Sequence, residues 1–189
     1  LVRNLSTVGL RGTIMRMQFG GHDVAPEAPV TDNVVPAEAP NPPVSVPWSA
    51  QPKVTVIIPA FNQWSYTAAC LRSISEARCN QRLEVIVVDD QSSDATGDEA
   101  EKIVGLKYLR NEENLGFIRS CNRGLEEAQG EYIVLLNNDT RVTDGWLDKL
   151  MDTFARYPDT GLAGSRLVYP DGTLQECGGM IFEDGSGWN

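Results

Sequence analysis

From Lys53 onward the chain alternates short apolar runs with stretches of helical periodicity. The β-branched run "KVTVII" predicts a strand, and Pro59 is expected to stop it because proline cannot donate to a ladder. "WSYTAACLRSISEA" follows, with Tyr66, Cys70 and Ile74 four apart and Leu71 beside them, the apolar stripe of a helix. "LEVIVV" predicts a second strand ending in "DDQSSD", and then a helix over 96–104 with Ser93 or Asp94 as its N-cap. "LKYLR" is a third, shorter strand, followed by the loop "NEENLG" and a helix over 117–128 whose apolar face holds Phe117, Cys121, Leu125 and Ala128. "EYIVLL" is a fourth strand, and its unbroken apolar run fits a sheet covered on both faces. Trp146, Leu147, Leu150, Met151 and Phe154 mark a helix that Pro158 ends; "GLAGSRLVY" and "TLQECGGMIF" predict two more strands around the turn "PDG". Strand and helix alternating at crossover spacing argue for a mostly parallel α/β sheet with flanking helices and right-handed connections.

Upstream of this pattern the composition changes. Residues 24–52 are loaded with Pro, Ala and Val and predict a semi-rigid linker. Residues 1–23 mix Arg with apolar residues and glycines, which fits the end of a preceding region or a tail better than a membrane-surface helix. The 189 residues, 41% of them hydrophobic, suffice for one domain with a real core. The missing initiator Met and the Gly-rich close "DGSGWN" suggest a domain whose C-terminal part is missing.

Charge and side-chain inventory then narrow the chemistry. With 16 basic and 26 acidic residues the net charge is −10, and no Lys/Arg cluster offsets it, so nucleic acid is not an expected partner. Cys70, Cys79, Cys121 and Cys177 show no C-x-x-C spacing and read as reduced, structural thiols of a cytosolic protein. No apolar run reaches the roughly 18 residues of a membrane span, and no signal-peptide pattern is present. The single histidine, His22, lies in the tail, which removes His-based triads and His-rich metal sites within this chain.

In open parallel sheets ligands bind beyond the carboxyl ends of the strands. Those ends here carry "PAFNQ", "DDQSSD", "NEENLG" and "NNDT". Taken singly, Asp89-Asp90 fits a solvated turn, "NNDT" fits an Asx-turn and an N-glycosylation acceptor, Phe61 and Trp64 fit packing residues, and Asn114 and Gly116 fit loop shaping. Taken together they supply a carboxylate for an imide or ribose, an aromatic for stacking and a cation ligand, the parts of a nucleotide site. Neither G-x-G-x-x-G nor G-x-x-x-x-G-K-[ST] is present, so a diphosphate needs a hard divalent cation, Mg²⁺ or Mn²⁺, with Asp139 as its natural ligand.

"VTVIIPAFNQ", "EVIVVDDQSSD" and "NLGFIRSCNRGLEEAQGEYIVLLNNDT" resemble, in this order, the motifs of glycosyltransferase family 2, inverting enzymes of the GT-A, Rossmann-like fold. "LLNNDT" and "DGTLQECGG" are most similar to its rhamnosyltransferase-like branch of bacterial surface-polysaccharide enzymes. The resemblance implies that residues 53–189 are the N-terminal, donor-binding portion of such a domain. It implies that Pro59, Ala60 and Phe61 line the base together with Asn62, that Asp90 accepts from base or ribose with Asp89 supporting its loop, and that Asn114, Gly116 and Asn122 shape the wall. Asn138 and Asp139 take the end of the D-x-D metal motif, with Asp139 as the direct ligand; Asn137 stands where many members carry the first Asp. The donor is expected to be a UDP- or dTDP-linked sugar and the acceptor a glycan or lipid-linked hydroxyl, handled in the cytoplasm or at the inner membrane surface by peripheral association. The catalytic base is expected downstream of Asn189. A non-catalytic nucleotide-sugar binding module fits the same residues, and a phospho-receiver-like domain fits less well because "GLAGSRLVY" offers no Lys.

Overall fold

The computed structural model describes residues 2–3, 45–177, 180–181 and 187–188; the rest of the tail, His22 included, and most of the Pro/Ala-rich stretch lie outside the described residues. A five-stranded sheet has the order β1-β5-β2-β3-β4, formed by β1 (Val2–Arg3), β2 (Val54–Ala60), β3 (Leu83–Asp89), β4 (Leu106–Arg110) and β5 (Tyr132–Leu135). β2 through β5 pair in parallel, and β1 runs antiparallel along the β5 edge. The connecting helices are α1 (Trp64–Glu76), α2 (Thr96–Ala100), α3 (Phe117–Glu126) and α4 (Trp146–Arg156). The predicted "PDG" turn joins a short antiparallel pair, β6 (Leu167–Val168) and β7 (Leu174–Glu176), and β8 (Met180–Ile181) pairs with β9 (Gly187–Trp188).

β2 and β3 are buried along their whole length, so their side chains feed cores on both faces of the sheet. Val54, Val56 and Ile58 pack with Cys70, Leu71 and Ile74 of α1 and with Leu147 and Met151 of α4; Ile57, Ile86, Val88 and Ile133 form the core on the opposite face. Gly124 of α3 lies on that second face so closely that a Cβ there would sit 2.5 Å from Ile57 Cγ2.

Several expectations are corrected. Pro59 does not end the first strand: β2 continues through Pro59 and Ala60, paired to Val88 and Asp89. The Ile57 carbonyl accepts from Leu136 N, so by alternation Pro59 turns its nitrogen to the same side, where pairing with β5 has already ended at Leu135. The buried stripe of α1 is Thr67, Cys70, Leu71 and Ile74, leaving Tyr66 on its exposed flank. α3 buries Ser120, Cys121 and Gly124, whereas Phe117 and Leu125 are exposed, because only small residues fit a helix that rides this close to the sheet. The helix expected over 96–104 stops at Ala100, where Lys102 N and Ile103 N turn to carbonyls three residues back. Val104 then bridges to Ser45, and Val46 is buried, so the end of the Pro/Ala-rich stretch packs on the domain. β5 is not covered throughout, since Leu135 is 40% exposed.

Candidate functional site

Strands β3 and β4 lie to one side of β2, in chain order, whereas β5 lies on the other. The crossover direction therefore reverses between β2 and β5, and the crevice beyond their carboxyl ends is the switch point at which such sheets hold ligands. All four predicted polar clusters are carried at the carboxyl ends of parallel strands, β3 and β5 flanking β2.

At the end of β2 the chain enters two consecutive left-handed residues, Asn62 and Gln63, each at φ 55. Asparagine tolerates that conformation, and its side chain here closes the turn on the neighbouring loop. Asn62 Oδ1 accepts from Ser93 N at 2.8 Å, and Asn62 N donates to Ser92 Oγ at 2.7 Å. Asp94 adds a second clamp, accepting from Trp64 N at the start of α1 and from Thr96 N at the start of α2. With the β2 and β3 loops locked together, Phe61 is left 51% exposed above the strand ends.

Asp89 and Asp90 leave β3 in opposite directions. Asp89 is fully buried: Oδ2 accepts from Tyr108 Oη and Arg110 Nη1, both at 2.6 Å, and Oδ1 accepts from Ser92 N at 2.8 Å. Arg110 Nη2 also holds the Ser92 carbonyl, so this pair braces the β3 loop. Asp90 turns towards α3. Its Oδ1 accepts from Asn111 Nδ2 and Leu115 N, and its Oδ2 from Gly116 N, each at 2.7 Å. Burial pushes its pKa up, but the donors Asn111, Leu115, Gly116 and Ser120 together outweigh it and hold the carboxyl below the usual range. Of the hydrogen bonds with assigned oxygens, Oδ1 carries two and Oδ2 only that from Gly116 N, so Oδ2 is the oxygen with capacity for a further donor.

The end of β5 is tied back to α1. Asn138 Nδ2 donates to Thr67 Oγ1 at 3.0 Å, and Thr140 N closes a turn on the Asn137 carbonyl. Asn137 and Asp139, two apart on either side of the anchored Asn138, are exposed. Asp139 makes no hydrogen bond or ion pair among the described residues, and its charge, after burial, helps push the Cys70 thiol up to about 12. Among the described residues no three His, Cys, Asp or Glu side chains gather into a metal cage. One carboxylate with an amide two residues before it nonetheless suits a hard cation that takes its remaining ligands from phosphate and water.

Asn114 is exposed in the β4–α3 loop, Gly116 sits at φ 79 ahead of α3, and Asn122 is half-buried on α3. Sequence reasoning missed Asn111, Ser120, Tyr108 and Arg110, which brace the two aspartates. The available signal for Asn111 was its place as the first polar residue after "LKYLR", next to Asp89 across the ladder. A cleft of about 370 Å³ between α2 and β4 lies at the far edge of the sheet from β5, and its rim of Asp94, Asp98 and Glu101 would repel a diphosphate.

A family model described as Glycosyl transferase family 2 matches residues 55–177. An uncharacterized glycosyltransferase of Haemophilus influenzae is 32% identical over 143 residues, covering 72% of this chain and 43% of that protein. O-antigen biosynthesis protein RfbC of Myxococcus xanthus is 29% identical over 142 residues, covering 73% of this chain and 11% of that protein. The chain thus spans less than half of either relative. Among solved structures, Staphylococcus aureus TarS 1-349 in complex with UDP matches with a TM-score of 0.51 and 28% identity over 56% of this chain and 33% of that one. Mannosyltransferase PcManGT from Pyrobaculum calidifontis, in complex with GDP-Man and Mn²⁺, matches with a TM-score of 0.50 and 26% identity over 61% of this chain and 36% of that one.

Proposed function

Because the chain belongs to glycosyl transferase family 2, we propose that it binds the nucleotide-sugar donor for a transferase that moves the sugar onto a hydroxyl acceptor with inversion. The observation that carries this reading is the placement of Asp139 and Asp90 at the ends of β5 and β3, either side of β2. Two inter-strand spacings separate these strands, about 10 Å. That suits a nucleoside diphosphate lying across the switch point, diphosphate over β5 and base over β3. UDP in the TarS structure, and GDP-Man with Mn²⁺ in the mannosyltransferase, support a nucleotide donor and a divalent cation.

In this reading Phe61 stacks on the base, with Pro59, Ala60 and Asn62 forming the floor beneath it. Asp90 Oδ2, which carries only the Gly116 N bond among those with assigned oxygens, accepts from a base imide or ribose hydroxyl, while Asp89 keeps the β3 loop in place. Asn114, Gly116 and Asn122 close the wall on the α3 side. Asp139 holds the Mg²⁺ or Mn²⁺, and Asn138, anchored on Thr67, fixes the direction in which it points. The cation, when bound, neutralises the diphosphate as a leaving group. The acceptor hydroxyl attacks the anomeric carbon, the bond from that carbon to the diphosphate oxygen breaks, and a base outside the described site takes the hydroxyl proton. RfbC supports an acceptor in bacterial surface polysaccharide, glycan or lipid-linked, and the rhamnosyltransferase-like branch rests on "LLNNDT" and "DGTLQECGG". No helix among the described residues is long and apolar enough to cross a membrane; action at the inner membrane surface is part of the proposal.

Calorimetry with UDP, dTDP or GDP in the presence of Mn²⁺ tests the reading. Binding that requires Mn²⁺ and is lost in Asp139→Ala is the expected result. No binding of any of the three overturns it.

A further inference from the structure

We propose that Asn111 is a positioning residue of the nucleotide site, aiming the Asp90 carboxylate through a buried amide bridge to α3. The inference rests on the reading above that Asp90 meets the nucleotide. Asn111 is 1% exposed, the first residue after β4, and its backbone N–H is fixed by the Asp89 carbonyl at 2.8 Å. Its amide then engages every partner within reach. Nδ2 donates to Asp90 Oδ1 at 2.7 Å and to Ser120 Oγ at 2.9 Å, and Oδ1 accepts from Arg123 Nη1 at 2.5 Å. The orientation of the amide follows from chemistry: the flipped form would set its oxygen against a carboxylate and its NH₂ against a guanidinium. Arg123 Nη1 also donates to the Arg110 carbonyl at 2.6 Å, so the bridge joins the end of β4 to the middle of α3.

The consequence for Asp90 is directional. Asn111 Nδ2 and Leu115 N on Oδ1 and Gly116 N on Oδ2, with Ser120 as a fourth partner, fix the carboxylate in space and so decide where Oδ2 points. The two backbone donors, Leu115 N and Gly116 N, come from one loop and hold one oxygen each. Asn111 reaches Oδ1 from just past the end of β4 and so ties the carboxylate to the sheet as well as to that loop. The other charged groups near Asp90 are Asp89, paired with Arg110, and Arg123, which reaches it only through the Asn111 amide. Asn111 links the carboxylate to the end of β4 and, through Ser120 and Arg123, to α3.

The test is UDP binding with Mn²⁺, by calorimetry at pH 8 and pH 5, for the wild-type chain, Asn111→Leu and Asp90→Asn. Asn111→Leu keeps the volume and removes the donor; it is expected to weaken binding about tenfold at pH 8, the worth of one hydrogen bond to a charged group. Relative to wild type the loss is expected to be larger at pH 5, because the ionised carboxylate has lost a donor. Wild-type affinity in Asn111→Leu, or a loss equal at both pH values, overturns the positioning role. Asp90→Asn separates this from the underlying reading: if that variant binds UDP like wild type, it is the contact of Asp90 with the nucleotide that fails. Should Asn111→Leu not fold, as judged by circular dichroism, Arg123→Gln frees the Asn111 amide while leaving the Asp90 contact in place. A loss of about threefold is expected there, on the scale of one neutral hydrogen bond; none overturns the proposal.

Discussion

Replacing Asp90 by Asn removes a charge while nearly conserving shape, and the hydrogen bonds fix what this costs. The amide oxygen can take the place of Oδ1 and still accept from Asn111 Nδ2 and Leu115 N, but its NH₂ then faces Gly116 N, donor against donor. Stranding a donor in a half-buried setting costs about 1–3 kcal/mol. The two surviving bonds fall from charge-assisted to neutral, roughly halving their strength and adding about 1 kcal/mol. The expected destabilisation is therefore about 2–4 kcal/mol, a fall of roughly 1–2 M in the urea midpoint at pH 7. The sign of the pH dependence follows from the lowered pKa of Asp90 in the fold. A carboxyl depressed by folding stabilises above its unfolded value and loses that contribution as pH falls through its folded value. The gap between wild type and Asp90→Asn should narrow below about pH 4. Urea titrations monitored by tryptophan fluorescence at pH 7, 5, 4 and 3 measure it. A gap under about 0.5 kcal/mol at pH 7, or one unchanged down to pH 3, would refute the view that Asp90 anchors the β4–α3 loop as an ionised acceptor.

Other perturbations separate the site from its support. Asp139→Ala, at an exposed side chain without a hydrogen-bond partner among the described residues, should leave stability within about 0.5 kcal/mol while abolishing Mn²⁺-dependent UDP binding; a large drop in thermal midpoint would mean that the residue is structural. Gly130→Ala should destabilise more than Gly124→Ala by chemical denaturation. At Gly130 the new Cβ would meet backbone, 2.6 Å from Thr55 N, whereas at Gly124 it meets the Ile57 side chain at 2.5 Å and gains about 1 kcal/mol of helix propensity. Native-state alkylation at pH 8, read by mass spectrometry, should label exposed Cys177 first and leave Cys70 and Cys121 unmodified, because burial pushes those thiols up to about 12 and about 11. Rapid labelling of Cys70 would mean that the packing of α1 on the sheet opens readily.

The chain's own pattern was enough to place four parallel strands and their helices, because β-branched runs and helical stripes report local periodicity directly. It also placed the polar clusters at strand ends, since polarity switches abruptly after "VTVII", "LEVIVV", "LKYLR" and "YIVLL". The pattern found Cys70, Leu71, Ile74 and Cys121 on the buried faces of α1 and α3, but not the small and polar residues that complete those faces. Gly124, Ser120 and Thr67 are chosen by how near the helix lies to the sheet, and hydrophobicity alone puts Tyr66, Phe117 and Leu125 inside instead. Strand order was equally out of reach. The sequence alone decided that Asp89, Asp90 and Asp139 stand at strand ends; only the pairing of β5 with β2 decided that the second and fourth strands flank one crevice. Tertiary structure alone separated Asp89 from Asp90, adjacent in the chain but turned apart by strand alternation, one towards Arg110 and the other towards Asn111. A hydrogen bond across 21 residues depends on where β4 ends beside β3, and that is a property of the folded sheet rather than of any local stretch.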